Sequence, residues 1–388
     1  MQYNLTELCI KMLSFKTITP HDDGIMDFIQ ATLKEIGFEY SILKKFTDIN
    51  EEAKDTLNLY SSLFSKSDGK NLCFAGHVDV VPPGKEFLWK YPPFEPVIED
   101  GILYGRGAVD MKTAIASFIV AVKEFLEENK EFNKGNISFL LTGDEEDNAI
   151  NGTQKMLLEL KKLGIKLDGV IVGEPTSEEK VGDTVKLGRR GSISFNLIIE
   201  GVQGHIAYPH LAKNPIHELG KIIYELSNLY LDDGNQSFSP SSLQIVKIET
   251  ENKASNVIPK TASCFFNIRF NNFYSGEDLI KLINNFITSK TNFNFKLSNF
   301  VSGECFLTNQ GELSNCVKRA IFDVCDFETK FSTSGGTSDA RFIKNYAPVL
   351  ELGVLNKTAH KIDENSSIED IYKLKDIYKK ILMNFFYS

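Results

Sequence analysis

Arginine is scarce in this chain. Arg106, Arg189, Arg190, Arg269, Arg319 and Arg341 are the only 6 among 43 basic residues, the remainder being lysine. When a lysine-rich chain uses arginine so sparingly, the rigid guanidinium fork is expected to matter where it stands. Tryptophan occurs once, at Trp89, which reads as a packing residue. The six cysteines (Cys9, Cys73, Cys264, Cys305, Cys316 and Cys325) are scattered and form no Cys-x-x-Cys pair. Such spacing argues against a zinc ribbon and a disulfide scaffold and fits a reducing cytoplasm. No run approaches the ~20 apolar residues of a membrane helix. From Met1 to Ser14 no basic segment precedes an apolar one, so no secretory leader is expected. Positive charge is also in deficit. The net charge of −9 disfavours nucleic acid and anionic membrane as partners. What remains is ordinary for a water-soluble globular chain, with 42% hydrophobic and 24% charged residues. A length of 388 residues exceeds what one core usually organises, so two domains are expected.

Periodicity supplies the organisation. Helices are expected at 4–14 and 24–36, the second on the spacing of Ile25, Phe28, Ile29, Leu33 and Ile36. Strands at 55–64 and 71–76, joined by a turn at 67–70, read as a hairpin. A loop at 101–112 leads to an apolar helix at 113–127. A strand at 136–141, a helix at 152–163 and a strand at 168–172 follow. This alternation, with polar residues at strand ends, predicts an α/β domain with a mixed sheet. Beyond Lys186 the order is strand 192–199, helix 215–230, strands 243–249 and 264–270, helix 277–287 and strand 292–300. That is the split β-α-β-β-α-β unit of a ferredoxin-like α+β domain. The expected division is thus 1–187 with 301–388 for the first domain, and 188–300 for the insertion. Helices at 313–322 and 368–386, with a strand at 347–352, complete the first domain.

The candidate chemistry gathers at strand ends. His77 and Asp79 stand two apart at the end of an apolar strand, just before Pro82-Pro83-Gly84, so they project to one face. A carboxylate beside an imidazole is a common way to orient a metal ligand. Asp110 lies in the Gly-rich loop, Glu145 and Glu146 follow one strand, Glu174 follows another, and His360 comes late. Two imidazoles with several carboxylates and no thiolate make a nitrogen and oxygen ligand set, suited to Zn²⁺, Co²⁺ or Mn²⁺. There are more candidates than one ion needs, which points to two ions sharing a carboxylate.

The runs Gly76-His77-Val78-Asp79-Val80-Val81-Pro82, Tyr104-Gly105-Arg106-Gly107-Ala108-Val109-Asp110-Met111-Lys112, Thr142-Gly143-Asp144-Glu145-Glu146 and Gly173-Glu174-Pro175-Thr176 resemble signatures of the co-catalytic zinc aminoacylase and carboxypeptidase family. Further matches, spanning nearly the whole chain in order, are Gly188-Arg189-Arg190-Gly191-Ser192, Gly204-His205, Ser255-Asn256-Val257-Ile258-Pro259 and Gly335-Gly336-Thr337-Ser338-Asp339. The resemblance implies two divalent ions per subunit, Zn²⁺ or Co²⁺. His77 and Glu174 would bind one ion, Glu146 and His360 the other, and Asp110 would bridge them. Asp79 would support His77, and Glu145 would be general base and acid. Water shared by two such ions is acidified toward hydroxide at neutral pH. The resemblance further implies a catalytic domain interrupted by a dimerisation domain. His205 would reach the active site of the other subunit in a homodimer and stabilise an oxyanion.

The Gly-Arg-Arg-Gly-Ser and Gly-Gly-Thr-Ser-Asp runs resemble those of members that release succinate from a succinylated diamino dicarboxylic acid. The alternatives are deacetylases and dipeptidases of the same family. A non-catalytic binder on the same scaffold should have lost a ligand or Glu145, and none is missing. A net acidic protein must hold a carboxylate-rich small molecule through local cations. Arg189 or Arg190 and Arg269 are the candidates, assisted by Asn256, Thr337 and Ser338. Related loops often carry glycine where Ser334 stands.

Overall fold

Apolar strands alternating with amphipathic helices build two compact units in a computed structural model that describes residues 3–47, 54–64 and 69–387. The first unit comprises Met1–Leu187, Thr308–Ser332 and Ser338–Ser388; the second comprises Gly188–Leu307 and Thr333–Thr337.

The first unit is organised on a mixed eight-stranded sheet. Across it run Tyr40–Phe46, Thr56–Ser62, Gly135–Thr142, Lys70–His77, Gly169–Val172, Val349–Glu351, Thr184–Lys186 and Lys330–Ser332. Gly135–Thr142 is buried along its whole length and Lys70–His77 along all but its first residue. Such strands read as continuous apolar runs because both faces are covered. Helices Lys112–Glu128 and Ile368–Tyr387 pack against this sheet. Phe74 stacks on Phe118 at 4.6 Å, and Phe139 and Tyr378 meet Phe118 edge-on. Offset and edge contacts of this kind suit the ring quadrupole and give the core a fixed geometry.

One expectation fails here. Thr56–Ser62 and Lys70–His77 do not form a hairpin. Gly135–Thr142 lies between them, antiparallel to the first and parallel to the second. A short connection favours a hairpin only when neither strand gains more by pairing elsewhere. Here the strand of the three that is buried along its whole length takes the middle position. Ser67 and Asp68 of the expected turn lie outside the described residues. The supposed loop at 101–112 also holds a strand, Ile102–Tyr104, flanked by Val97–Glu99 and Asn365–Ser367. Three residues are too few to show a period.

The second unit carries an antiparallel sheet in the order Ser242–Glu249, Thr261–Phe270, Gly191–Glu200, Asn294–Gly303. With helices Pro215–Ser227 and Gly276–Lys290 it forms the split β-α-β-β-α-β unit. Alternation is clean on Thr261–Phe270, where Ala262, Cys264, Phe266, Ile268 and Phe270 are buried. Asn214, before Pro215, caps the first helix, and a Ser275–Asp278 capping box starts the second. The unit runs past residue 300 because its last long strand continues to Gly303 and Phe306–Leu307 then pairs with Gly188–Arg189. Among the described residues no helix is long and apolar enough to cross a membrane.

Candidate active site

Three adjacent parallel strands of the first unit deliver side chains to one edge. Lys70–His77 ends on His77; Gly135–Thr142 leads into Glu145 and Glu146; Gly169–Val172 leads into Glu174. The C-terminal ends of parallel strands are where α/β sheets place ligands. Gly173 lets this edge pack tightly, since a Cβ there would stand 2.5 Å from Phe74 and 2.6 Å from Met111. Asp110 comes from the loop before helix Lys112–Glu128, and His360 from the loop before Asn365–Ser367.

The five side chains form two triads that share Asp110: His77, Asp110 and Glu174, and Asp110, Glu146 and His360. His77 Nε2 lies 3.0 Å from Asp110 Oδ1 and 3.7 Å from Glu174 Oε1. His360 Nε2 lies 3.2 Å from Asp110 Oδ2 and 2.9 Å from Glu146 Oε1. Two ligands held about 2.0–2.1 Å from one tetrahedral ion stand roughly 3.3 Å apart, so these separations fit ions at both triads. Glu174 Oε1 is buried and makes no hydrogen bond, as a ligand oxygen awaiting a cation would be.

Electrostatics point the same way. Burial opposes charge on His77, yet Asp110, Glu174 and Asp79 outweigh it and raise its pKa well above the usual imidazole value. Hydrogen bonds to Asp110 and Glu146 push His360 up to about 10. Burial would raise Asp110, but the two imidazoles hold it below the ordinary carboxylate range. Glu174 is raised, first by burial and then by Asp110 and Glu145. A cluster that draws protons so strongly carries an excess of buried negative charge, which bound divalent cations would neutralise.

Asp79 differs from the expected arrangement. His77 Nδ1 faces the Asp79 backbone carbonyl at 2.9 Å, while the carboxylate stands 3.7 Å away. The strand ends at His77, so the two-residue spacing no longer aligns their side chains on a pleat. The Asp79 carboxylate instead accepts the backbone N–H groups of Glu145, at 3.2 and 3.3 Å, and of Glu146, at 3.1 Å. It fixes the turn that carries both glutamates. Burial pushes its pKa up to about 6. Burial, with Asp339 and Glu146 adding to it, also raises Glu145 well above the usual range.

Three further charged groups are buried near the site. Lys112 is wholly buried, donates to the Phe15 carbonyl at 2.9 Å, and is lowered by burial to about 7. Asp339 is buried beside Thr153, and burial raises its pKa. Glu364 is buried against Arg106 at 2.6 Å. Arg106 lies over the Trp89 ring at 5.0 Å, and the Trp89 indole donates to Pro83, so the lone tryptophan does pack. Lys112, Arg106 and Asp339 lie inside the quoted runs; Glu364 has no comparable signal.

The remaining candidates are described within their own units. Arg189 is buried and donates to the Ser334 carbonyl at 3.0 Å. Gly335 has φ +107°, and a Cβ there would stand 2.2 Å from Arg189 Nη1, so this position needs glycine twice over. Ser334 is not among the residues with positive φ, and its contact to Arg189 uses the backbone, so serine is accommodated. Arg269 Nη1 reaches Thr337 Oγ1 at 3.5 Å. Ser338 is buried, and its hydroxyl donates to Glu351 at 2.6 Å, which ties it to the sheet. His205 is exposed on the two-strand ribbon Gly204–His205 and Val257–Ile258, where Asn256 accepts the Ile206 N–H.

Comparison with known proteins extends this picture. The model of peptidase family M20/M25/M40 matches residues 73–384. A succinyl-diaminopimelate desuccinylase of Ehrlichia canis is 46% identical over 383 residues, covering 98% of each chain. One of Pelagibacter ubique is 47% identical over 387 residues, covering 99% of each. Among solved structures, an M20 family metallo-carboxypeptidase of Sulfolobus solfataricus superimposes with a TM-score of 0.79 at 17% identity, covering 99% of both chains.

Proposed function

The chain belongs to peptidase family M20/M25/M40, and from that premise we propose that it hydrolyses N-succinyl-LL-2,6-diaminoheptanedioate to succinate and LL-2,6-diaminoheptanedioate. The reading rests on the paired triads around Asp110, joined to full-length similarity with desuccinylases at 46–47% identity. The product is a precursor of lysine and cell wall, and the enzyme acts in the cytoplasm.

His77 and Glu174 would hold one divalent ion, Glu146 and His360 the other, with Asp110 common to both. Zn²⁺ suits the nitrogen and oxygen donors, and Co²⁺ is compatible with the same donor set. When bound, the ions supply Lewis acidity, polarising the amide carbonyl and acidifying water. Glu145 adjoins the ligand Glu146 on a turn whose amides Asp79 fixes. It takes the proton of the attacking water and returns it to the leaving amine nitrogen as the C–N bond breaks. Arg189 and Arg269 serve the substrate carboxylates, with Asn256 and the Thr337 hydroxyl contributing further hydrogen bonds. Ser338 is tied to Glu351 within the first unit and supports the substrate loop through its backbone.

The chain works as a homodimer in which His205 of one protomer serves its partner's site, stabilising the oxyanion. Support comes from exposed Ile206, Tyr208 and Leu211 around His205. Apolar surface of this kind favours burial against another chain. Mixing inactive Glu145→Ala and His205→Ala proteins should restore part of the activity; no recovery would remove the cross-subunit role.

Product analysis tests the whole reading. The zinc-loaded protein should release succinate from the succinylated substrate far faster than acetate from N-acetylornithine. The opposite preference would reassign the acyl group, and inertness toward both would remove the hydrolase assignment.

A further inference from the structure

We propose that Glu364 is a positioning residue of the metal centre, clamping the backbone of Asp110 to the loop that carries His360. This inference rests on the two-ion reading above. Glu364 is fully buried. Its Oε1 accepts the backbone N–H of Val109 at 2.8 Å and of Asp110 at 3.1 Å. Its Oε2 accepts Arg106 Nη1 at 2.6 Å. Its own carbonyl accepts the Gly105 N–H at 3.0 Å, and the following strand Asn365–Ser367 pairs with Ile102–Tyr104. Side chain, main chain and strand pairing thus fasten the His360 segment to the Asp110 segment.

The geometry explains why this fastening matters. Asp110 is the one residue common to both triads, presenting Oδ1 to His77 and Oδ2 to His360. Its carboxylate can face both imidazoles only if its backbone is fixed. One oxygen of Glu364 holds two consecutive amides there, and the other is anchored through Arg106 against Trp89. With three donors already accepted, Glu364 supports ligands rather than being one. Removing its acceptor would strand two buried N–H groups. It would free Asp110 to turn and let the His360 loop drift. Groups behind metal ligands are typically worth ~10–100-fold in affinity.

The test compares wild type with Glu364→Ala and with the double variant Arg106→Met/Glu364→Gln. A glutamine carbonyl can still accept both amides, while its NH₂ would oppose Arg106 unless that cation is removed. Zn²⁺ affinity is read by competition with a chromophoric chelator, the environment of the site by the Co²⁺ absorption spectrum, and folding by circular dichroism. Glu364→Ala should weaken the more loosely held ion by ~10–100-fold and alter the Co²⁺ spectrum. The double variant should keep both ions close to wild-type affinity. A folded Glu364→Ala protein with wild-type affinity and spectrum would overturn the proposal, as would a double variant that loses the ions equally. If Glu364→Ala does not fold, Arg106→Met/Glu364→Leu replaces it, and equal affinity in the two double variants would overturn the clamp. Wild-type protein that binds no ions at all would instead overturn the two-ion reading.

Discussion

The two triads share a residue but not a setting. His77 closes a central strand and is 1% exposed, whereas His360 sits on a loop with φ +62° and is 49% exposed. The first is held by the sheet, with its Nδ1 against a backbone carbonyl. The second depends on loop geometry and on whatever fastens that loop. One triad is therefore built into the fold, and the other is open to solvent. The difference predicts that an ion at the first triad would be held more firmly than one at the second.

The most severe way to break the comparison is Asp110→Ala, which erases the shared member. Both ions should be lost and turnover should fall below detection; metal analysis showing one tightly retained ion would mean that the triads are independent. Glu145→Gln should lower kcat by about 10²–10⁴-fold while leaving both ions in place, measured by steady-state rates beside metal content. Next, His77→Ala should cost folding stability as well as metal, because it leaves buried carboxylates without their partner. His360→Ala should release one ion with little change in Tm. Equal thermal shifts in the two variants would erase the distinction drawn here. A milder probe is graded chelation of the wild type, for which two separate phases of ion release are expected, with the first absent in His360→Ala. The smallest effect falls on the second unit: Arg269→Ala should raise KM by roughly 10-fold with kcat less affected, as for loss of one charge-assisted hydrogen bond.

Legibility followed locality. The split unit of the second domain was readable because its strands and helices succeed one another with clean alternation, as on Thr261–Phe270. The members of the two triads were legible as candidates because histidines and carboxylates cluster at strand ends and in the loops beside them. What failed depended on distant partners. Nothing in Thr56–Ser62 says that Gly135–Thr142, rather than the next strand, will lie beside it. Asp79 was expected to hold His77 through its carboxylate. The end of the strand at His77 turns that carboxylate toward the amides of Glu145 and Glu146 instead. Glu364 stands in a polar stretch, Asp363-Glu364-Asn365, that looks like any surface loop until Val109 and Asp110 are placed against it.

The sheet order of the first unit bears on how the protein is made. Val349–Glu351 lies inside the sheet, between Gly169–Val172 and Thr184–Lys186, yet follows the entire second unit in sequence. During synthesis, domains fold largely as they emerge, N-terminal parts first. The second unit is nearly contiguous and so has its partners in hand early. The first must wait with a gap in its sheet until Val349–Glu351 arrives, and only afterwards do His360 and Glu364 leave the ribosome. The nascent chain therefore cannot assemble its second triad ahead of time, and its half-built sheet is the stage most exposed to aggregation.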